Sequence, residues 1–422
     1  MKEIAAMKFQ GDGDGLTEVG GFFCSGVAAD VRGKRDGRLD LGVIHSKRPC
    51  SVAGVFTTND VKAAPVNYCM DLLERRNTLN AVVVNSGNAN ACTGSKGDRD
   101  ARVMAAETAR QLDLEADDVL VCSTGRIGEQ LPISRVTTGI KDAAEDLAEG
   151  IEGGRNFLRA ILTSDTRTKS CVAEVESKEG TYRVAGAAKG AGMIEPNMAT
   201  MLAFVTTDAE VEASLLRQLL QDVVEETFNK ITVDGDMSTN DTVLLLANGF
   251  SRVKVTSGDA AGIAAFREAL TRVCRYLAEK IVGDGERITK VVEVKVEGAM
   301  DDDAAERVAR AIGNSMLVKT SWYGGDPNWG RLADAAGYAK VGLEFDKLDL
   351  FYDDVPVLRQ GEPRIRNRDK WTKIVGRDRF SIRMNLNQGN GSCQVLSSDL
   401  TEGYVDFNKS ETTGDPNSTS DD

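Results

Sequence analysis

Short apolar runs and longer amphipathic stretches alternate along almost the whole chain. Runs of aliphatic and β-branched residues predict strands at residues 81–84, 119–122, 182–187, 201–206, 242–246 and 291–296. Helical periodicity between them predicts helices over 98–112, 213–228, 260–281 and 304–312. In the second of these, Leu215, Leu219, Val223 and Phe228 fall near one face. Strands and helices mix throughout, which predicts an α/β or α+β fold. No internal repeat is visible. Only residues 410–422 are low in complexity, and they are expected to form a flexible tail.

Several loops break this pattern with polar residues that bend the chain. They are Asn85-Ser86-Gly87-Asn88-Ala89-Asn90, Ser123-Thr124-Gly125, Thr163-Ser164-Asp165-Thr166, the stretch from Thr232 to Asp241, and Gly324-Gly325-Asp326-Pro327-Asn328-Trp329-Gly330. The first two directly follow apolar runs, and loops leaving strand ends are where sites tend to sit. Each alone reads as an ordinary turn.

The composition changes the picture mainly by exclusion. The chain has 422 residues and a net charge of −13, so nucleic acid and acidic membranes are poor partners. Its 42 glycines and 8 prolines suit many tight turns better than disorder. No two of the 8 cysteines lie within four residues, which removes zinc-finger and thioredoxin-type readings; they read as free thiols of a reducing compartment. Residues 1–15 lack the apolar core of a signal peptide, and no apolar span of membrane length occurs, so the expected location is cytoplasmic. Neither a phosphate-binding loop nor a dinucleotide fingerprint is present. Asp234-Gly235-Asp236 starts like a calcium loop, but Thr239 stands where glycine is needed and no glutamate closes it. No metal site is expected.

Histidine carries the sharpest constraint. The chain has one, His45, in a strand-like context where an ordinary hydrogen-bonded role is favoured over a catalytic one. A Ser/His or Cys/His nucleophile would depend on it. A threonine that becomes a new N-terminus carries its own base, an α-amine with a reference pKa of about 7.7–8.0. In Lys189-Gly190-Ala191-Gly192-Met193-Ile194-Glu195-Pro196-Asn197-Met198-Ala199-Thr200-Met201-Leu202, a hydroxyl follows a small residue in a glycine-rich stretch just before an apolar run. Attack of the Thr200 oxygen on the Ala199 carbonyl would cut the chain and free that amine. On composition and spacing alone, Thr200 as a β-branched residue opening a strand is the favoured reading.

The same segment resembles the cleavage-site signature of the ornithine acetyltransferase family, bifunctional glutamate N-acetyltransferases / amino-acid acetyltransferases of arginine biosynthesis. The stretch Ser123-Thr124-Gly125-Arg126-Ile127-Gly128-Glu129-Gln130-Leu131-Pro132 resembles its oxyanion loop. The blocks at 85–90, 228–236, 238–242 and 326–331 follow in family order, so the resemblance runs from about residue 15 to about 413. It implies an αββα-type sandwich, a self-cleaving N-terminal-nucleophile architecture shared with the self-processing aminopeptidases. It implies an α chain of residues 1–199 and a β chain of 200–422 that stay associated, with an α₂β₂ assembly suggested. It implies ping-pong transfer of acetyl from N²-acetylornithine to glutamate through acetyl-Thr200, with no cofactor and with acetyl-CoA as a second donor in bifunctional members. Thr124 and Gly125 are then the oxyanion hole. Substrate contacts carry over to Thr163, Lys189, Thr200, Glu286, Asn408 and Thr413. Lys189 suits an α-carboxylate; Glu286 suits the cationic amine of ornithine, and reads equally well as a solvated charge.

The chain departs from the family pattern at several places. Arg126 replaces a more usual apolar residue, Arg167-Thr168-Lys169 lacks an expected proline, Gln394-Val395-Leu396-Ser397-Ser398 lacks an expected Trp-Gly-Cys, and nine residues follow Thr413. A hydrolase of the aminopeptidase or amidase type and an uncleaved binding homologue remain alternatives.

Overall fold

The computed structural model describes residues 6–195 and 201–410. Residues 196–200 and the tail from 411 lie outside the described residues, and with them Ala199, Thr200 and Thr413. The chain divides into two compact units. The first takes residues up to 190, 196–229 and 237–281; the second takes Ala191–Glu195, Lys230–Asp236 and everything from Val282.

In the first unit the strands are β1 (Ala6–Gly11), β2 (Phe22–Val27), β3 (Leu41–Phe56), β4 (Thr78–Asn88), β5 (Val119–Arg126), β6 (Lys169–Ser177), β7 (Gly180–Lys189), β8 (Leu202–Thr207), β9 (Glu210–Val211), β10 (Thr242–Ala247) and β11 (Lys254–Val255). Its helices are α1 (Ala64–Arg75), α2 (Gly94–Leu112), α3 (Ile133–Glu145), α4 (Ile151–Ala160), α5 (Ala213–Glu226) and α6 (Ala260–Val282). Nine strands form one sheet in the order β1-β6-β7-β8-β10-β3-β4-β5, with β2 also paired to β3; β9 and β11 form a separate ribbon. Helices cover the sheet on two faces. Ala185 and Ala187 of β7 join the core shared with α1 to α4. A Cβ on Gly186 between them would instead meet Val273 and Leu277 of α6. This alternation is the two-residue period of a strand.

β3 does most to shape the sheet. Its first half, Leu41 to Ser46, pairs with β2, and its second half, Ser51 to Phe56, pairs with β10 on the same side. The register against β4 slips between His45 and Cys50. Such irregularities bend a strand and increase its twist. β8 and β10 are buried along their whole length, as their apolar sequences require.

The second unit holds β12 (Val291–Ala299), α7 (Asp302–Asn314), α8 (Met316–Tyr323), α9 (Trp329–Tyr338), β13 (Asp349–Tyr352), β14 (Val355–Arg359), β15 (Glu362–Pro363), α10 (Arg368–Val375), β16 (Arg379–Asn385), β17 (Gly391–Ser398) and α11 (Glu402–Ser410). Its six strands run in the order β15-β14-β13-β16-β12-β17. Asp301 caps α7 by accepting from the Ala304 N–H at 2.8 Å.

The expected α/β class holds, and every strand and helix read from the sequence is present. One helix is shorter than expected: α5 stops at Glu226, and Phe228 falls in a short 3₁₀ turn. Its buried stripe is Leu216, Leu219, Leu220, Val223 and Val224, with Leu215 half-buried at its margin.

Candidate active site

The polar loops gather at strand ends in the first unit. β4 and β5 run parallel, with Ser86 opposite Thr124 and Gly87 opposite Gly125. Gly125 has φ +135°, and a Cβ there would stand 2.3 Å from the Gly87 carbonyl carbon. Only glycine fits both constraints. Asn240 binds the two loops together. Its Nδ2 donates to the Ala89 carbonyl at 2.6 Å and to the Ser123 carbonyl at 2.8 Å. The Ser123 hydroxyl donates to Asn85 Oδ1 at 2.6 Å, and Asn85 Nδ2 donates to the Asn88 carbonyl at 2.9 Å. The density of Asn and Ser in these loops is therefore a buried network that fixes the backbone beside Thr124.

Lys189, the last residue of β7, points its Nζ at the Thr124 hydroxyl oxygen from 3.4 Å. Five strand steps separate β7 from β5 in the sheet order. A flat sheet would put them about 24 Å apart, beyond the reach of any lysine. The sheet is therefore strongly curled, as the bend in β3 allows. Thr124 is 2% exposed and Lys189 2% exposed, so the contact is dry. With its oxygen accepting from an ammonium, the Thr124 hydroxyl is left to donate its own proton elsewhere, as an oxyanion-hole donor must.

Beneath Lys189 lies a buried charge cluster. Asp165 Oδ2 is 3.9 Å from Lys189 Nζ, and Asp165 Oδ1 is 2.7 Å from Lys169 Nζ. Asp165 also accepts from the Gly190 N–H at 2.6 Å and the Thr163 N–H at 2.9 Å. Burial pushes its carboxyl up, but the two lysine charges and these hydrogen bonds outweigh it and hold the carboxyl well below the usual range. Thr163 turns its hydroxyl toward Asp165 at 3.4 Å.

Met201, the first described residue after Thr200, donates its N–H to Asp241 Oδ1 at 2.9 Å, and its carbonyl accepts from the Thr242 N–H at 3.2 Å. β8 starts at Leu202 between Lys189 of β7 and Thr242 of β10. Asp241 is completely buried, and burial pushes its carboxyl well above the usual range against the Met201 hydrogen bond and the nearby Lys189 charge.

His45 is remote from this site. It pairs with Ala81 of β4, five residues and about 17 Å along the strand from Ser86. Burial pulls its imidazole pKa down, and Nδ1 has no hydrogen-bond partner among the described residues.

Glu286 and Asn408 meet each other in the second unit, Asn408 Nδ2 donating to Glu286 Oε2 at 3.2 Å. The Glu286 N–H donates to the Ala191 carbonyl at 3.0 Å, and Gly192 leaves no room for a side chain against the Glu286 carboxyl. Asp234, discarded as a calcium ligand, instead accepts from the Met193 and Ile194 N–H groups at 2.6 and 2.7 Å. Arg126 pairs with Glu129 at 3.5 Å on a partly exposed edge.

Asp165, Lys169 and Asp241 carry no role in the sequence reading. Asp165 and Asp241 sit in loops it singled out, and that was the available signal. Lys169 stands only four positions from Asp165, but Lys189 lies 24 positions from Asp165 and Met201 lies 40 from Asp241, which no local spacing reveals.

A buried hydroxyl and a left-handed glycine at a strand end, polarised by lysine and bordering a strand that begins just after a threonine, form a site suited to acyl transfer without histidine. Comparison with known proteins gives the group. A profile of the ArgJ family matches residues 23–413, and the chain belongs to that family. It is 45% identical over 395 residues to the "Arginine biosynthesis bifunctional protein ArgJ" of Thermotoga neapolitana, covering 92% of this chain and 98% of that one. It is 42% identical over 393 residues to the protein of the same name in Staphylococcus epidermidis, covering 93% and 97%. A solved structure, an ornithine acetyltransferase from Mycobacterium tuberculosis complexed with ornithine, is 34% identical, with 45% of this chain and 98% of that chain covered at a TM-score of 0.42.

Proposed function

We propose that this chain is an acetyltransferase of arginine biosynthesis that moves acetyl from N²-acetylornithine to glutamate, with Thr200, freed by self-cleavage after Ala199, as its nucleophile. The Thr200 hydroxyl attacks the acetyl carbonyl while its own α-amine takes the proton. The oxyanion is met by the Thr124 hydroxyl and the Gly125 N–H. Ornithine leaves, and the amine of glutamate then takes acetyl from Thr200, which gives ping-pong kinetics. The observation that carries the proposal is the 3.4 Å approach of Lys189 Nζ to the Thr124 hydroxyl oxygen, on the strand end that neighbours the start of β8. No helix among the described residues is long and apolar enough to cross a membrane.

Intact mass spectrometry tests the nucleophile: wild type should split before Thr200 and Thr200→Ala should stay whole. An uncut, fully active wild type overturns the mechanism. Incubation with N²-acetylornithine tests the acceptor. Release of ornithine that needs glutamate supports transfer; equal release without glutamate makes the protein a hydrolase. Repeating the assay with acetyl-CoA shows whether a second donor is used.

A further inference from the structure

We propose that Cys69 and Tyr68 of α1 are positioning residues for the oxyanion hole: their thiol and hydroxyl stand in for a neighbouring strand that β5 lacks, and so hold Thr124 and Gly125 in place. This rests on the acyl-transfer reading above and adds residues that neither the motif resemblance nor the family match assigns.

β5 is the last strand of its sheet and pairs only with β4. Such an edge carries a row of backbone groups without a ladder partner. Here side chains take them. The Tyr68 hydroxyl donates toward the Val119 carbonyl at 3.2 Å and lies equally far from the Ala116 carbonyl. The Cys69 thiol donates to the Val121 carbonyl at 3.1 Å, while the Val121 N–H donates back to its sulfur at 3.4 Å. Asn240 Nδ2 donates to the Ser123 carbonyl at 2.8 Å. Positions 119, 121 and 123 are thus the outward-facing set, at the two-residue period of a strand. Val119, Val121, Tyr68 and Cys69 are all buried, so water does not replace these bonds. The Cys122 thiol also hydrogen-bonds the Cys69 sulfur, which ties β5 to α1 once more.

Gly125 continues the series. β5 stays paired with β4 as far as Arg126, so the alternation turns the Gly125 N–H outward as well. Among the described residues no side chain accepts from it. The edge is closed by side chains up to Ser123 and open at Gly125, which offers that N–H to an oxyanion.

α1 is itself fixed to the neighbouring loops. The Ala63 N–H donates to the Thr239 carbonyl at 2.9 Å, and the Ala64 N–H donates to the Asn90 carbonyl at 3.2 Å. The side chains that close the edge therefore come from an element anchored on the loops around the site. Thiol hydrogen bonds are weak, but a misplacement of about 1 Å can cost about 100-fold in rate, so they act through geometry more than through stability.

Substitutions at position 69 separate the hydrogen bonds from the volume. Cys69→Ser keeps a donor and an acceptor; Cys69→Val keeps an apolar filling and has neither. Tyr68→Phe removes only the hydroxyl. Two readings are taken on samples whose circular dichroism matches the wild type. Amide exchange over residues 119–126, followed by mass, should quicken in Cys69→Val and stay close to wild type in Cys69→Ser. The kcat is read on whichever acyl transfer the wild type performs, to glutamate or to water. It should fall by about 10- to 100-fold in Cys69→Val with little change in KM, and by less than about threefold in Cys69→Ser. Tyr68→Phe, acting further from Thr124, should lose less than Cys69→Val. A packing role predicts the opposite order, so Cys69→Val close to wild type with Cys69→Ser impaired overturns the proposal. Quickened exchange with an unchanged kcat also overturns it, since the thiol would then close the edge without placing the oxyanion hole. A wild type that releases ornithine equally without glutamate overturns the transfer reading, while a kcat loss in Cys69→Val would still support this inference. A wild type that does neither overturns both.

Discussion

Asp165 shows how one side chain holds several site residues. It is fully buried, ion-paired to Lys169 and close to Lys189, and it ties down the backbone at Thr163 and Gly190. Two buried ammonium groups share this carboxylate. Asp165→Asn removes the only negative charge of that trio while nearly keeping its shape. Breaking a buried pair in this way costs about 3–5 kcal/mol, since two buried ammonium groups lose the carboxylate that lies between them. Chemical denaturation should show that loss, and kcat/KM should fall with it because Lys189 is released from its position on Thr124. The pH dependence follows from the direction of the shift. The folded carboxyl lies below its ordinary value of 3.8, so its contribution is complete above that value and is lost as the pH falls below it. The variant should therefore have a flatter stability curve on the acid side, and an acid limb as steep as that of the wild type would show that the carboxylate is not paired in solution.

At the scale of elements, the site is the meeting of three strand ends that one amide holds in register. Asn240, just before β10, donates to carbonyls following β4 and within β5. Asn240→Ala leaves two buried carbonyls without that donor, at about 1–3 kcal/mol. Its larger effect should be on kcat, because Ser123 directly precedes Thr124. Steady-state kinetics should show kcat falling with little change in KM; a change confined to KM would mean that the loops keep their positions without the amide. Much of this level was legible in the sequence. Apolar runs such as residues 119–122 and 242–246 announce strands because burial on both faces demands unbroken aliphatic residues. The polar, chain-bending loop at Ser123-Thr124-Gly125 was also visible, since few residue types serve such turns, whereas the positive φ of Gly125 emerged only with the structure. The curl of the sheet was not. It depends on β3 changing partners midway and on a register slip after His45, and pairing between distant strands leaves no mark on either strand alone. The role of Asp165 was hidden for the same reason, since its lysines become neighbours only once β6 and β7 pair.

At the scale of the whole molecule, the position of the proposed cut relative to the sheet decides what cleavage does to the protein. A break after Ala199 leaves β1 to β7 on one piece and β8 onward on the other. β8 lies between β7 and β10, and β10 lies between β8 and β3, so two strands of the C-terminal piece sit inside a sheet whose outer strands all belong to the N-terminal piece. The ladders across the boundary are continuous, from Lys189 opposite Leu202 to Val184 opposite Thr207, and from Phe56 opposite Thr242 to Ser51 opposite Ala247. Separation would expose two strands buried along their whole length and leave both edges of the gap unpaired. The cut should thus change covalent connectivity without changing the folding unit of the first domain. The two pieces are expected to resolve on a denaturing gel, to co-elute on native size exclusion, and to be released from one another only in the denaturant range that unfolds this sheet. Native elution as two separate species would mean that the interior strands do not depend on their neighbours, and the sheet order described above would then be wrong for the cleaved protein.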